Sequence, residues 1–189
     1  MADFSIISDV SNEVLNVLRE QICPELIQSP ESIALGIPSD KNADFQLGLY
    51  LYDVQELREY RQMDPIRLWW VLRLVSPKPL TLYYALYVNT KSQLTSNAEN
   101  EQRILGRALQ VLMDHAILYD MEGEEEASAS ITILPLSFEE KTKIWSVLNV
   151  PYQLGIYFSV SPVLLSSRRV RSFKRVVAAE FDVQQSTYR

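Results

Sequence analysis

The residues from Trp145 to Leu165, WSVLNVPYQLGIYFSVSPVLL, constrain the fold more than any other stretch of this chain. They read as the end of a short helix, a proline stop and then one unusually long strand. Tyr152, Leu154, Ile156, Phe158 and Val160 fall on one face, and Gln153, Gly155, Tyr157, Ser159 and Ser161 on the other. Successive side chains of a strand point to opposite faces, so one face can be buried while the other stays semi-polar. A strand longer than a small core requires suggests a scaffold that presents surface to neighbours, not a cradle for chemistry.

The rest of the pattern supplies partners for that strand. Phe4, Ile7, Val10, Val14, Val17, Leu18 and Ile22 recur at helical steps and predict a helix over 4–22, capped by Asp3 or Ser5 and stopped by Pro24. A short strand is expected at 31–37 and a polar turn from Pro38 to Asp44. Three further strands follow from alternation: one at Phe45, Leu47, Leu49 and Leu51, one at Leu68, Trp70, Leu72 and Leu74, and one at Leu80, Leu82, Tyr84, Leu86 and Val88. The break Ser76-Pro77-Lys78-Pro79 predicts a tight antiparallel connection between the last two. Each of these strands has a second face rich in Tyr or Trp, suited to cover by helices or by another subunit.

A long helix is expected over 97–119, opened by the capping-box pattern Ser96-Asn97-Ala98-Glu99 and faced by Leu105, Ala108, Leu109, Leu112, Ala116 and Tyr119. An acidic, low-complexity loop at 120–130 leads to a short strand, Ile131 to Leu134. Ser137-Phe138-Glu139-Glu140 opens a second capped helix to about Leu148. After the long strand, a last strand alternates through Val177, Ala179, Phe181 and Val183, and 184–189 reads as a loose tail. The expected class is α+β: a mixed, largely antiparallel sheet flanked by an N-terminal helix, a long central helix and a short helix, in one domain spanning 1–189.

At 189 residues, a chain of this size buries about 70% of its unfolded surface and needs no staple. Cys23 is the single cysteine, so an intrachain disulfide is impossible and a reducing compartment is compatible. The first basic residue is Arg19, so a secretory signal is not expected, and no apolar run reaches the roughly 18–20 residues that cross a bilayer. Charge is uneven. Residues 1–167 carry 12 basic and 22 acidic side chains, while 168–189 carry 6 basic and 2 acidic. An acidic body with a basic C-terminal segment fits contacts between copies or with a partner protein, and not a general nucleic-acid binder.

Catalytic chemistry has little to stand on. His115 is the only histidine and reads as structural or superficial, because a general base also needs a positioned nucleophile and orienter. Cys23 reads as a structural thiol with no metal-type spacing around it. Five scattered glycines make no phosphate loop. Glu122, Glu124, Glu125 and Glu126 read as a solvated loop, with a hard cation as the alternative. Asp53, Glu56, Glu59 and Asp64, mixed with Arg58, Arg61 and Arg67, read as a charged edge that resists sticky association. No cofactor or metal is expected. The sharpest surface feature is the basic segment of Arg168, Arg169, Arg171, Lys174 and Arg175. It reads either as a solvated hairpin end or as a contact with an acidic protein surface. Nucleic acid is a third reading that the acidic body disfavours.

Several blocks together resemble one family. They are FSIISDVSNEVLNVLRE, PELIQSPESIALGIPS, FQLGLYLYDVQE, LTLYYALYV, ENEQRILGRALQVLMDH and ILPLSFEEKTKIWSVLNVPYQLGIYFSVSPVLL. In order and spacing they are similar to the N-terminal part of the tail-terminator or cap proteins of extracellular contractile injection systems, the phage-tail-like particles. The resemblance spans nearly the whole chain, and some members of the family carry material beyond this domain. It implies a phage-tail-terminator-like fold and a non-enzymatic role: a hexameric ring at the end of the particle distal to the baseplate, closing the inner tube and holding the last sheath ring. It also implies tube and sheath proteins as partners, no membrane or nucleic acid, and assembly in the cytoplasm before release with the particle. Two other readings are a joining protein elsewhere in a phage tail and a small-molecule-binding α+β domain or enzyme. The latter predicts an apolar cavity with polar groups converging near Tyr83, Tyr87 or His115.

Overall fold

The computed structural model describes residues 4–40, 44–57, 78–89, 98–118 and 128–165. The strands expected at 68–75 and 177–183, most of the acidic loop and the tail lie outside the described residues. So does Ser96, the cap expected for the central helix.

The described strands are β1 (Ile33–Leu35), β2 (Leu47–Glu56), β3 (Lys78–Val88), β4 (Ile117–Leu118), β5 (Ala129–Ile133) and β6 (Gly155–Leu165). They form one sheet in the order β1-β2-β3-β6-β5-β4. Only the β1–β2 pair is parallel, so the sheet is mixed and largely antiparallel, as the alternation predicts. The long strand sits at the centre and pairs with β3 from Tyr87↔Gly155 to Lys78↔Leu165. Both edges of β3 are occupied, by β2 and β6, which corrects the expectation that its antiparallel partner is the strand just before Ser76-Pro77-Lys78-Pro79. Short connections favour hairpins, but a longer closure costs little extra entropy when the paired strands bury more apolar surface.

One face of the sheet is aliphatic. Leu82, Tyr84, Leu86 and Val88 of β3, Leu47 and Leu49 of β2, and Phe158, Val160 and Val163 of β6 are all buried there. Against them pack α1 (Ile6–Ile22) and α2 (Ala98–Asp114). The apolar stripe of α1 is rotated slightly from the expected one. Leu15 is buried with Val14, Leu18 and Ile22, while Phe4 precedes the helix and is 79% exposed. Ser5 stands at the N-cap without a side-chain cap bond, and its hydroxyl donates to Asp9 Oδ2 at 2.7 Å instead. Within α2 the buried set adds Ile104 and Val111, and the helix ends at Asp114, short of the expected Tyr119. The chain turns at His115 and spends Ile117–Leu118 as the edge strand β4. One polar pair crosses this core: Ser11 Oγ lies 2.8 Å from the Tyr84 hydroxyl.

Two irregularities reset the alternation. In β2 the register jumps between Leu51 and Asp53, which leaves Tyr52 as an extra residue. In β6, Val160 pairs with Leu82 and Val163 with Leu80, so Ser161-Pro162 holds one residue too many. A bulge shifts every later side chain to the other face. Strict period two carries the buried face of β6 only to Val160. The bulge returns Val163 to the aliphatic core.

Candidate protein–protein interface

The second face of the sheet is aromatic, and α3 (Phe138–Val147) lies over it. The helix starts where the sequence places it. Ser137 Oγ accepts from the Glu140 backbone N–H at 3.3 Å, and Glu140 Oε2 accepts from the Ser137 N–H at 2.8 Å and its hydroxyl at 2.7 Å. Those bonds hold the Glu140 carboxyl below its ordinary pKa, the side-chain bond first. The helix ends at Val147 with Leu148 as its C-cap, and Asn149 takes φ 54°, a left-handed conformation that Asn tolerates. Pro151 then prevents continuation, and β6 begins at Gly155. Tyr152 and Leu154, expected inside the strand, precede it, and Leu154 is 56% exposed.

Trp145 is the anchor of this layer. Its indole Nε1 donates to the Tyr157 hydroxyl at 2.7 Å, and its ring meets Tyr87 edge-on at 5.5 Å and Tyr152 at 6.3 Å. Phe45 meets Tyr87 edge-on at 6.1 Å. The bulge residue Tyr52 reaches Tyr83 and Tyr157 at 6.1 and 6.3 Å. Lys141 Nζ stands 5.6 Å from the Tyr157 ring centroid. Two glycines make room for this packing: a Cβ at Gly48 would stand 2.6 Å from the rings of Phe45 and Tyr87, and one at Gly36 would collide with the Phe45 ring. Burial pushes Tyr87 and Tyr157 up, and pushes Tyr52 up to about 12 with help from Tyr83 and Asp53. Phenols moved in that direction are neutral at ordinary pH and are poor bases. Among the described residues, the buried Tyr87 hydroxyl and Gln153 Oε1 make no hydrogen bond.

Around Tyr87 the described residues form a packed layer and not a cavity. Tyr83 and Tyr87 lie on the aromatic face, with Tyr87 packed between Phe45 and Trp145. His115 follows α2 on the aliphatic side, half-buried, with Nδ1 3.1 Å from the Val111 carbonyl oxygen. Among the described residues, the two tyrosines and His115 lie on different sides of the sheet, and Phe45 and Trp145 pack against Tyr87. Burial raises the Cys23 thiol pKa against the pull of Arg19, the direction of an unreactive thiol. Among the described residues, no group of His, Cys, Asp or Glu is arranged to hold a metal, and no helix is long and apolar enough to cross a membrane.

Arg168, Arg169, Arg171, Lys174 and Arg175 lie outside the described residues. Their root does not: β6 ends at Leu165, opposite Lys78 at the start of β3. At that end of the sheet, β2 closes on Asp53, Val54, Gln55 and Glu56, all exposed. Asp53 Oδ1 accepts from the Val54 N–H at 2.8 Å and Oδ2 from Gln55 Nε2 at 2.6 Å. Lys78 Nζ donates to Glu56 at 3.2 Å. The charged edge expected from the sequence is therefore real at Asp53 and Glu56. Its continuation through Glu59 and Asp64 falls outside the described residues. Sequence reasoning missed the exposed apolar rim of α3, Phe138 and Val147, because Phe138 reads there only as part of a capping pattern.

Comparison with known proteins gives a consistent picture. The family model described as the Pvc16 N-terminal domain matches residues 9–179. No curated protein matches. Among solved structures, the sheath/tube terminator of an extracellular contractile injection system, PVC, in its extended state is similar with a TM-score of 0.63 at 19% identity, over 96% of this chain and 64% of that one. The anti-feeding prophage cap, a tube-terminating cap, is similar with a TM-score of 0.58 at 16% identity, over 93% of this chain and 61% of that one. The chain thus spans under two thirds of the length of either structure. At these identities the likeness establishes a shared tail-terminator-type fold.

Proposed function

The chain belongs to the Pvc16 N-terminal domain family, and from that premise we propose that it is a structural cap of a contractile injection particle. The observation that carries the reading is the likeness of fold to a sheath/tube terminator across 96% of the chain. Six copies form a ring that closes the inner tube and anchors the last sheath ring. The chain acts as one domain over residues 1–189, assembles in the cytoplasm and leaves with the particle. It makes and breaks no bonds. Two physical features support the reading: a long central strand pair builds a stiff sheet, and side chains of the protein itself pack its aromatic face.

A closed ring of identical head-to-tail contacts needs two different, complementary patches on each copy. The acidic body and the basic segment of Arg168, Arg169, Arg171, Lys174 and Arg175 supply them. Single contacts between exposed charges are weak, but a ring tethered to tube and sheath engages them all at once and holds by effective concentration.

Electron microscopy of particles carrying a tagged copy tests the reading. Density for the tag at the end distal to the baseplate is expected, together with abnormal tube length when the protein is absent. A tag found at the baseplate, or particles of normal length without the protein, would overturn it. Replacing Arg168, Arg169 and Arg171 with Glu is expected to leave folding intact and to impair assembly. Unchanged particle yield and length would refute that assignment.

A further inference from the structure

We infer that Arg19 closes the outer edge of β1 to the same edge of a second copy of this chain, so that two copies do not join their sheets there. The closure follows from the sheet itself and stands apart from the cap reading, whose contacts it confines to other surfaces.

The ladder fixes which backbone groups of β1 point outward. Gln46 N–H donates to the Ser32 carbonyl at 2.8 Å and Gly36 N–H to the Leu49 carbonyl at 3.1 Å, so Ser32 and Gly36 turn these groups toward β2. Consecutive residues of a strand turn their N–H and C=O groups to alternate sides. Ile33 and Leu35 therefore turn theirs away from β2. At Ile33 both are taken within the chain. Its N–H donates to the Pro30 carbonyl, and its own carbonyl accepts from Arg19 Nε at 3.0 Å and from Arg19 Nη2 at 2.7 Å. Arg19 Nε also donates to the Pro30 carbonyl at 3.0 Å. The half-buried guanidinium of α1 thus stands where the N–H of an added strand would have to stand.

This edge is one that needs closing. Leu35 is 46% exposed and Ile37 56%, so apolar side chains flank outward backbone groups, and such an edge is a template for pairing with another chain. β1 is three residues long, so Ile33 and Leu35 are its whole outward set. With Arg19 in place Leu35 alone has groups to offer, and one residue does not fix a register. Bonds from a guanidinium to a carbonyl are charge-assisted and about twice as strong as neutral ones, so one incoming amide does not displace two of them. Pairing of two β1 edges would also bring two copies of Arg19 together, and like charges across a contact disfavour it. Arginine stays charged at working pH, so the closure does not titrate away.

Sedimentation velocity of the full chain, with hydrogen exchange at the Leu35 amide, tests this. Arg19→Met keeps a long apolar stem and loses the donors. It is expected to associate, beyond the species the wild type forms, at least about tenfold more tightly. Its Leu35 amide is expected to exchange more slowly as protein concentration rises, which a merely loosened fold would not produce. Adding Leu35→Pro removes the outward N–H without touching the ladder to β2, and is expected to return association to the wild-type level. Arg107→Met is the control. Arg107 holds the Gln21 carbonyl of α1 through Nε at 3.3 Å and Nη2 at 3.2 Å, and its loss is expected to leave association unchanged. Should Arg19→Met fail to fold by circular dichroism, Arg19→Lys takes its place, with a smaller effect in the same direction. A folded Arg19 variant that associates like the wild type would overturn the inference. So would association that survives Leu35→Pro, or that rises equally in Arg107→Met. Whether the wild type forms rings decides the cap reading and leaves this assignment untouched.

Discussion

The two faces of one sheet solve the same problem with different chemistry. The aliphatic face buries mainly Leu, Ile and Val side chains under two helices, with Tyr84 and Phe158 stacked among them and one hydroxyl pair to Ser11, so its cohesion is chiefly burial. The aromatic face places Tyr, Trp and Phe under one short helix, and adds an indole–hydroxyl bond, edge-on rings and glycine clearances. Aliphatic packing tolerates repacking, whereas aromatic packing depends on orientation and on partners for each polar tip. The first face is therefore expected to set the stability of the fold. The second is expected to set how α3, with exposed Phe138 and Val147 on its rim, is held on the molecule.

The hardest blow to that contrast is Phe158→Ala. Phe158 is fully buried and stacks on Tyr84 at 5.3 Å, and its loss is expected to cost about 3–5 kcal/mol in urea unfolding. A cost under 1 kcal/mol would mean that the aliphatic face does not dominate. On the other face, Gly48→Ala drives a methyl group against the rings of Phe45 and Tyr87, with an expected loss of about 1–3 kcal/mol. Gly106→Ala on α2 meets open space and is expected to stabilise by about 0.4–1 kcal/mol. Equal effects at the two glycines would break the claim that the aromatic layer is tightly fitted.

Trp145→Phe keeps a ring but removes the donor to Tyr157, and is expected to cost about 1–3 kcal/mol, with a larger change in near-ultraviolet than in far-ultraviolet circular dichroism. A last effect concerns pH. Tyr52 on one face and Tyr84 on the other are both pushed up to about 12, chiefly by burial, while an unfolded tyrosine titrates near 10. Between those values the unfolded chain has released protons that the folded chain still holds, so stability falls as pH rises. The contribution is fully present below pH 10 and lost through about pH 12. Spectrophotometric titration of the phenols alongside denaturation curves checks it; two phenols ionising normally in the folded protein would contradict the burial of both faces.

Much of this molecule was legible along the chain. The capping pattern at Ser137 and Glu140, the stop at Pro151 and the alternation of Leu80, Leu82, Tyr84, Leu86 and Val88 are local, and each local rule has one structural outcome. The same holds for the charge imbalance, which is a property of composition. Other features were hidden because they depend on what a residue meets at a distance. Leu15 and Ile104 joined the core only once α1 and α2 lay against the same sheet face. The end of α2 at Asp114 was decided by the edge of the sheet, where Ile117 and Leu118 gained strand partners. The partner of β3 is another case: proximity in sequence suggested 68–75, whereas β2 and β6 occupy its two edges.

By itself, then, the sequence determined the element types, the amphipathic patterns and the separation of acidic body from basic segment. These follow from backbone sterics, side-chain period and charge count. Tertiary structure alone decided the strand order, the bulges at Tyr52 and Ser161-Pro162 and the opposition of the β2 edge to β6 across β3. Pairing and register are chosen by the free energy of burying whole faces together, a quantity that no single segment carries.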